Sequence, residues 1–357
     1  MLKCYGWSDA LQHQFESHAG SGLVPARVLV QQRGLYEIVT ESGELSATLA
    51  GKFAHDAEDG GYPVTGDWVA VAPRPHEGTA TIRHVLPRSS VFTRRAAGPG
   101  MPRGQVVAAN ADIALLAASL NADLSLRRIE RYLATAWESG AEPVIVLTKA
   151  DLCDDVEALK AQVEGVAFGV PVHAISAVTG DGVDAVRAHL TQGKTAVVLG
   201  SSGVGKSTLA NALAGQELMT TRAIIEEGAR GRHTTTHREL LLLPGGALIL
   251  DTPGMRELGL WDSEEGVSAA FGEIEELATQ CRFHDCRHRS EPDCAVQAAL
   301  AEGTIDEARW NAYRKLQREL AFHHRKDNFQ AHLENRKVWI QRNKNYRAQK
   351  KFRGRED

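Results

Sequence analysis

The segment Gly200-Ser201-Ser202-Gly203-Val204-Gly205-Lys206-Ser207 constrains this chain more than any other part of it. It matches GxxxxGK[ST], follows the apolar run TAVVL and precedes TLANALAG, the strand–loop–helix context that the pattern requires. The glycines let the backbone turn tightly, so that successive N–H groups point at a phosphate held at the positive end of the following helix. Lys206 can reach the β- and γ-phosphates, the Ser207 hydroxyl can ligate Mg²⁺, and Thr208 closes the segment expected to hold the nucleotide. Such a loop needs a parallel sheet around it. Residues 106–260 supply one, with the apolar runs VVAANADIALLAAS, PVIVLTKAD, PVHAISA and ALILDTPG separated by helical patterns. Continuous apolar strands of this kind are covered on both faces.

Two further segments belong to the phosphate side. Asp251-Thr252-Pro253-Gly254 ends the strand GGALIL. Asp251 can hold Mg²⁺ through water, and the Gly254 N–H can meet the γ-phosphate. Between this motif and the phosphate loop lies GRHTTTH, residues 231–237. A hydroxyl from Thr235 or Thr236 is expected to complete the Mg²⁺ shell; the residues do not separate the two.

Thr148-Lys149-Ala150-Asp151 ends the strand PVIVL, and Ser176-Ala177 ends the next one. A carboxylate at Asp151 can accept guanine N1–H and N2–H₂ together, a donor pair that adenine does not offer. Lys149 can lay its stem over the base, and the Ser176-Ala177 backbone can donate to O6. The expected ligands are therefore GTP and GDP. The motif order is TKAD, SA, phosphate loop, Thr loop, DTPG, a circular permutation of the usual arrangement. Each strand–helix unit is intact, so the sheet can still assemble. The segment 251–256 now leads directly into the C-terminal part of the chain, where nucleotide state can act on it.

Residues 26–90 read differently. Short β-rich runs punctuated by ESGE and EDGGYPVTGD indicate a small OB-type barrel. Residues 1–25 form an extension of no evident pattern, and 91–105 read as a flexible basic linker. The phosphate-loop domain is assigned to 106–262, a mainly helical metal-binding domain to 263–330 and a basic tail to 331–357; the tail is open to helix or disorder.

The chain has five cysteines, an odd number, and three of them cluster. Cys281-x₄-Cys286-x-His288-x₅-Cys294 offers three thiolates and an imidazole, a set suited to one closed tetrahedral, structural Zn²⁺. His284 competes on composition, but its spacing suits a supporting place. The formal net charge of −4 conceals an asymmetry: residues 309–357 carry fifteen Lys/Arg against five acids, which leaves −14 on the first 308. A basic end on an acidic body suggests a nucleic-acid partner. No run of 18 apolar residues occurs and the N-terminus lacks a signal pattern, so no membrane association and a cytoplasmic location are expected. A monomer is expected.

Together these motifs resemble the ribosome small subunit-dependent GTPase A (RsgA) family over roughly residues 26–300. The resemblance implies an OB barrel, a permuted GTPase domain and a zinc domain. It also implies a factor of late small-subunit assembly whose GTP hydrolysis is stimulated by the small ribosomal subunit and its rRNA. Carried over, residues 148–151 and 200–208 bind GTP and the Cys₃His set binds zinc. Two positions depart from the wider GTPase pattern. Thr148 stands where Asn is usual, which removes a base-side amide. Met255 follows DTPG where many GTPases place a water-orienting Gln, so slow unassisted hydrolysis is expected. His233 is then the candidate for orienting water once the partner orders its loop; a contact with barrel or RNA is the other role open to it. A non-catalytic RNA-binding module is disfavoured by the intact Lys206, Ser207, Asp151 and Asp251. A GTP-driven metal chaperone is disfavoured by the closed metal set.

Overall fold

The computed structural model describes residues 1–32, 34–51, 61–95, 104–121, 124–216, 238–251, 270–289, 291–307 and 309–318. Short runs rich in β-forming residues, separated by turns, fold into five strands between positions 24 and 85: β1 (Val24–Gln32), β2 (Leu35–Thr40), β3 (Gly43–Leu49), β4 (Trp68–Arg74) and β5 (Thr79–Val85). They run in the order β1-β2-β3-β5-β4, and β4 pairs again with β1, which closes the barrel. Only the β3–β5 pairing within it is parallel. Register shifts at Val28/Val30 and Ala70/Val71 bend the strands enough for closure. Val28, Ile38, Val69 and Ile82 fill the interior.

The N-terminal extension is ordered. Helix α1 (Asp9–Ala19) starts at Ser8, whose hydroxyl accepts the Leu11 N–H at 3.3 Å. Trp7 meets Trp68 edge-on at 4.9 Å, and Phe15 is buried against the same cluster.

The segment expected as a linker begins and ends in β-structure, because β6 (Val91–Arg95) pairs antiparallel with β7 (Gly104–Ala109). The run VVAANADIALLAAS is therefore two strands. Asn110, at φ 56°, separates β7 from β8 (Ile113–Ser119). Asn tolerates this left-handed conformation, and its side-chain oxygen accepts the Ser89 N–H at 2.9 Å.

The central sheet has the order β10-β9-β8-β11-β13-β12, with β9 (Glu142–Thr148), β10 (Val172–Ala174), β11 (Thr195–Gly200), β12 (Arg238–Leu242) and β13 (Leu248–Asp251). All are parallel except β12, which is antiparallel to β13. Helices α2 (Leu126–Ser139) and α3 (Val156–Glu164) cover one face, and α4 (Val183–Arg187) and α5 (Lys206–Ala214) cover the other. Apolar side chains on both faces explain why these strands do not alternate.

Strand β12 also pairs with β1, through Val30↔Glu239 and Gln31↔Arg238, so barrel and central sheet are continuous. Arg27 fixes the junction. It is buried, and its guanidinium donates to Thr195 Oγ1 (2.8 Å) and to the carbonyls of Asn110 (3.1 Å), Gly66 (3.3 Å) and Tyr5. Burial lowers its pKa to about 10, which leaves it charged at neutral pH.

The C-terminal part contains α6 (Gly272–Thr279), α7 (Ala295–Glu302) and a helix over 309–318, packed around Phe271, Ile274, Val296, Trp310 and Tyr313. Arg309 joins it to the central domain. Its guanidinium lies 3.5 Å from Glu130 on α2 and 2.8 Å from Glu273, donates to the carbonyls of Val166 and Ala270, and stacks 4.0 Å from the Phe271 ring centre. The expected tail, 331–357, lies outside the described residues.

Candidate functional site

The base-side motifs and the phosphate loop come together at the C-terminal edge of the parallel sheet, the edge where open α/β sheets bind ligands. Strand β11 is buried along its whole length and delivers Gly200 to that edge. A Cβ at Gly200 would lie 2.7 Å from the Ala117 carbonyl oxygen of neighbouring β8, so only glycine fits. Gly205, at φ 99°, is the turn residue from which α5 starts at Lys206. Lys206 Nζ donates to the carbonyls of Gly200 (2.9 Å) and Ser201 (2.7 Å). Ser202 and Gly203 are exposed and Val204 is buried, whereas Ser201, Ser207 and Thr208 are half-buried.

The base-side motif is tied to this loop directly. Thr148 ends β9, and its hydroxyl donates to the Val204 carbonyl at 2.6 Å. Lys149 follows in a left-handed conformation, φ 62°, and its Nζ donates to the Gly203 carbonyl at 2.9 Å. Ala150–Leu152 form a single turn that leaves Asp151 exposed. The Ala150 N–H donates to the Ile175 carbonyl, which holds this turn against the segment carrying Ser176 and Ala177. Ser176 is buried, and its hydroxyl accepts the Thr179 N–H at 3.1 Å. Thus Thr148, Lys149, Asp151, Ser176, Ala177 and residues 200–208 come to one edge, although Thr148 and Lys149 lie 56 and 54 residues from their partners in the loop.

Asp251 ends β13, opposite Glu239. Its side chain, together with His233, Thr235, Thr236, Gly254 and Met255, lies outside the described residues. Arg128, on the first turn of α2, was not expected at the site. Its guanidinium donates to Ser201 Oγ at 3.4 Å. Nothing in the run LRRIERYL distinguishes it from a solvated helix position.

The second site is the cysteine cluster. The ligand atoms of Cys281, Cys286, His288 and Cys294 all lie within 4.8 Å of one another. Cys281 and Cys294 sulfurs are 3.8 Å apart, and His288 Nδ1 lies 3.5 and 3.4 Å from them. A tetrahedral Zn²⁺ with bonds of about 2.3 Å to sulfur separates its sulfurs by about 3.8 Å, so the donor set fits that ion. His288 takes φ 52°, which turns its Nδ1 inward; its ring meets Trp310 edge-on, and its carbonyl accepts from Gln297 Nε2 at 2.8 Å. Burial acts to raise the Cys281 thiol, but the N–H groups of Val296 and Ala295 at the start of α7 outweigh it and hold the thiol below its usual range. Cys286 is pushed up to about 11, first by desolvation and then by the neighbouring thiols. Thiols gathered this closely ionise together only beside a cation. His284 is exposed and is not among the four.

The model of the RsgA GTPase family matches residues 85–261. The chain is 46% identical over 329 residues to a small ribosomal subunit biogenesis GTPase RsgA of Syntrophotalea carbinolica, covering 90% of each chain. It is 49% identical over 321 residues to the protein of that name in Streptomyces coelicolor, covering 89% of this chain and 86% of the relative. Its fold is similar to the crystal structure of YjeQ from Thermotoga maritima, with TM-score 0.64, 28% identity and coverage of 84% and 99%. The fold is likewise similar to that of YloQ, described as a circularly permuted GTPase, with TM-score 0.62, 23% identity and coverage of 85% and 97%.

Proposed function

The chain belongs to the RsgA GTPase family, and on that premise we propose that it binds the small ribosomal subunit and hydrolyses GTP, stimulated by that subunit, during late small-subunit maturation. The observation that carries the reading is the joining of the TKAD turn to the phosphate loop through Thr148 and Lys149. One rigid edge thereby presents a guanine-selective carboxylate and a phosphate cradle together.

In this reading Asp151 selects guanine, with Ser176-Ala177 offering a backbone donor. Residues 200–208 hold the phosphates, and Gly254 meets the γ-phosphate. Mg²⁺, held by Ser207 and Asp251 with Thr235 or Thr236, supplies charge neutralisation at the phosphates. His233 orients the attacking water, a task that a thioether at Met255 performs poorly. Zn²⁺ at Cys281, Cys286, His288 and Cys294 is structural. The basic C-terminal end supplies affinity for rRNA, and the protein acts as a cytoplasmic monomer. No helix among the described residues is long and apolar enough to cross a membrane.

The test is the rate of GTP hydrolysis with and without purified small ribosomal subunits. The reading expects a slow intrinsic rate and a large stimulation. An unchanged rate at saturating subunit overturns it.

A further inference from the structure

Three cations converge on the first half of the phosphate loop, and the nucleotide motifs account for two of them. Lys206 Nζ lies on the Gly200 and Ser201 carbonyls, and Lys149 Nζ lies on the Gly203 carbonyl. The third is Arg128, whose Nη1 donates to Ser201 Oγ at 3.4 Å. Residues 200–208 contain no acid. One residue, Ser201, thus meets Lys206 through its carbonyl and Arg128 through its hydroxyl.

The local sequence does not explain this placement. Arg128 lies in the first turn of α2, which contains no acid, and its N-cap Ser125 makes no side-chain capping bond. A cation at that end works against the helix dipole. The helix gains from its apolar face, where Ile129, Tyr132 and Leu133 are buried, but Arg128 does not belong to that face. Its guanidinium turns to the phosphate loop instead.

The position within the loop indicates which phosphate is concerned. Backbone N–H groups at the start of α5 cradle the α- and β-phosphates, whereas the loop lysine reaches the β- and γ-phosphates. Ser201 is where that lysine rests, at the end of the loop remote from the α5 N-terminus. The geometry points to Arg128 as a third phosphate-site cation, supplied from α2, that favours the triphosphate over the diphosphate and acts on the γ-phosphate end through Ser201. This inference rests on the GTP-hydrolase reading above. Arg128 is a positioning residue: its Nη1 bonds the Ser201 hydroxyl and its guanidinium adds charge where negative charge grows during phosphoryl transfer.

The experiment uses the full chain. Binding of GDP and of the non-hydrolysable analogue GMPPNP is titrated for wild type, Arg128→Met, Arg128→Lys and Arg127→Met, together with kcat and KM for GTP. Arg127 is the exposed neighbour on the same turn and controls for general charge. Arg128→Met is expected to weaken GMPPNP roughly tenfold or more, as for loss of one charge-assisted contact, and GDP by less than about threefold. kcat should fall with it. Arg128→Lys should recover part of the loss, because it keeps the charge and not the fork. Thermal melts identify a variant that fails to fold, in which case Arg128→Lys carries the comparison. Equal weakening of both nucleotides in a folded variant means a merely structural role and overturns the inference. An Arg127→Met shift equal to that of Arg128→Met means a general field effect and also overturns it. If the wild type itself neither hydrolyses GTP nor prefers it to ATP, the parent reading has failed instead.

Discussion

Thr148 Oγ1 lies 2.6 Å from the Val204 carbonyl oxygen, so this hydroxyl ties the base-side turn to the phosphate loop beside the Lys149 bond to Gly203. The sequence suggested a loss at this position, since Thr replaces the usual Asn. What the shorter side chain retains is the bond across to the loop. Thr148→Val removes the donor and leaves a buried carbonyl without it. GTP and GDP binding should both weaken by about 1–3 kcal/mol, and to the same extent. Thr148→Asn, which keeps a donor, should bind both nucleotides better than the Val variant. Nucleotide titration of the two variants checks this.

Asp151 is exposed at the end of the turn, available to a base from solvent. Asp151→Asn should lower guanine affinity by a few kcal/mol, about tenfold for each 1.4 kcal/mol, and shift preference toward xanthine nucleotides. Competition binding with GTP, XTP and ATP reads the outcome. A variant still preferring GTP contradicts the assignment.

The metal cluster and the C-terminal core share residues: Cys294 is buried among Phe271, Val296 and Trp310. Metal removal by chelation, or Cys286→Ser, should therefore open residues 270–300 and lower the melting temperature. Amide exchange should rise there first, while the barrel stays protected. Metal analysis of purified protein should find one zinc per chain.

Arg309 and Glu130 are both buried but are not equivalent. Burial raises the Glu130 pKa despite the opposing charge of Arg309, so this environment tolerates the neutral acid better than water does. The folded state then binds a proton more tightly than the unfolded state just above the ordinary carboxylate range. Stability falls as pH rises through that window and is level beyond it. Glu130→Gln should abolish this slope with little loss at neutral pH. Arg309→Met leaves Glu130 and Glu273 without their shared cation and should destabilise by about 3–5 kcal/mol. Thermal melts from pH 4 to 8, about four units upward from the ordinary carboxylate pKa, separate the two variants.

His233→Ala should abolish most of the subunit-stimulated turnover while GTP binding and subunit binding persist. An imidazole can accept a hydrogen bond from water and is neutral near pH 7, whereas Met255 cannot play that part. Stimulated turnover surviving in the variant, with normal subunit binding, assigns the water to another group.

Features that depend on local spacing were legible in the chain before it folded. Gly200 to Ser207, between an apolar strand and a helix, defines a phosphate loop wherever it occurs. Cys281, Cys286, His288 and Cys294 lie close enough in the chain that a few turns bring them together. The short β-rich runs between 26 and 88, punctuated by turn residues, are enough to indicate a small barrel. Features that depend on long-range approach emerged only in the packed chain. The split of VVAANADIALLAAS into β7 and β8 turns on Asn110, which is polar but reads as part of an apolar run until its neighbours are known. The α1 extension is held because Trp7 meets both Phe15 and Trp68, the latter across about sixty residues of sequence. Arg27, Arg128 and Arg309 each read as ordinary surface charge. Their roles come from partners 73 to 179 residues away: Arg128 to Ser201, Arg27 to Thr195 and Arg309 to Glu130. A guanidinium has five donors and no local preference for where they are used, so only the packed chain assigns its contacts.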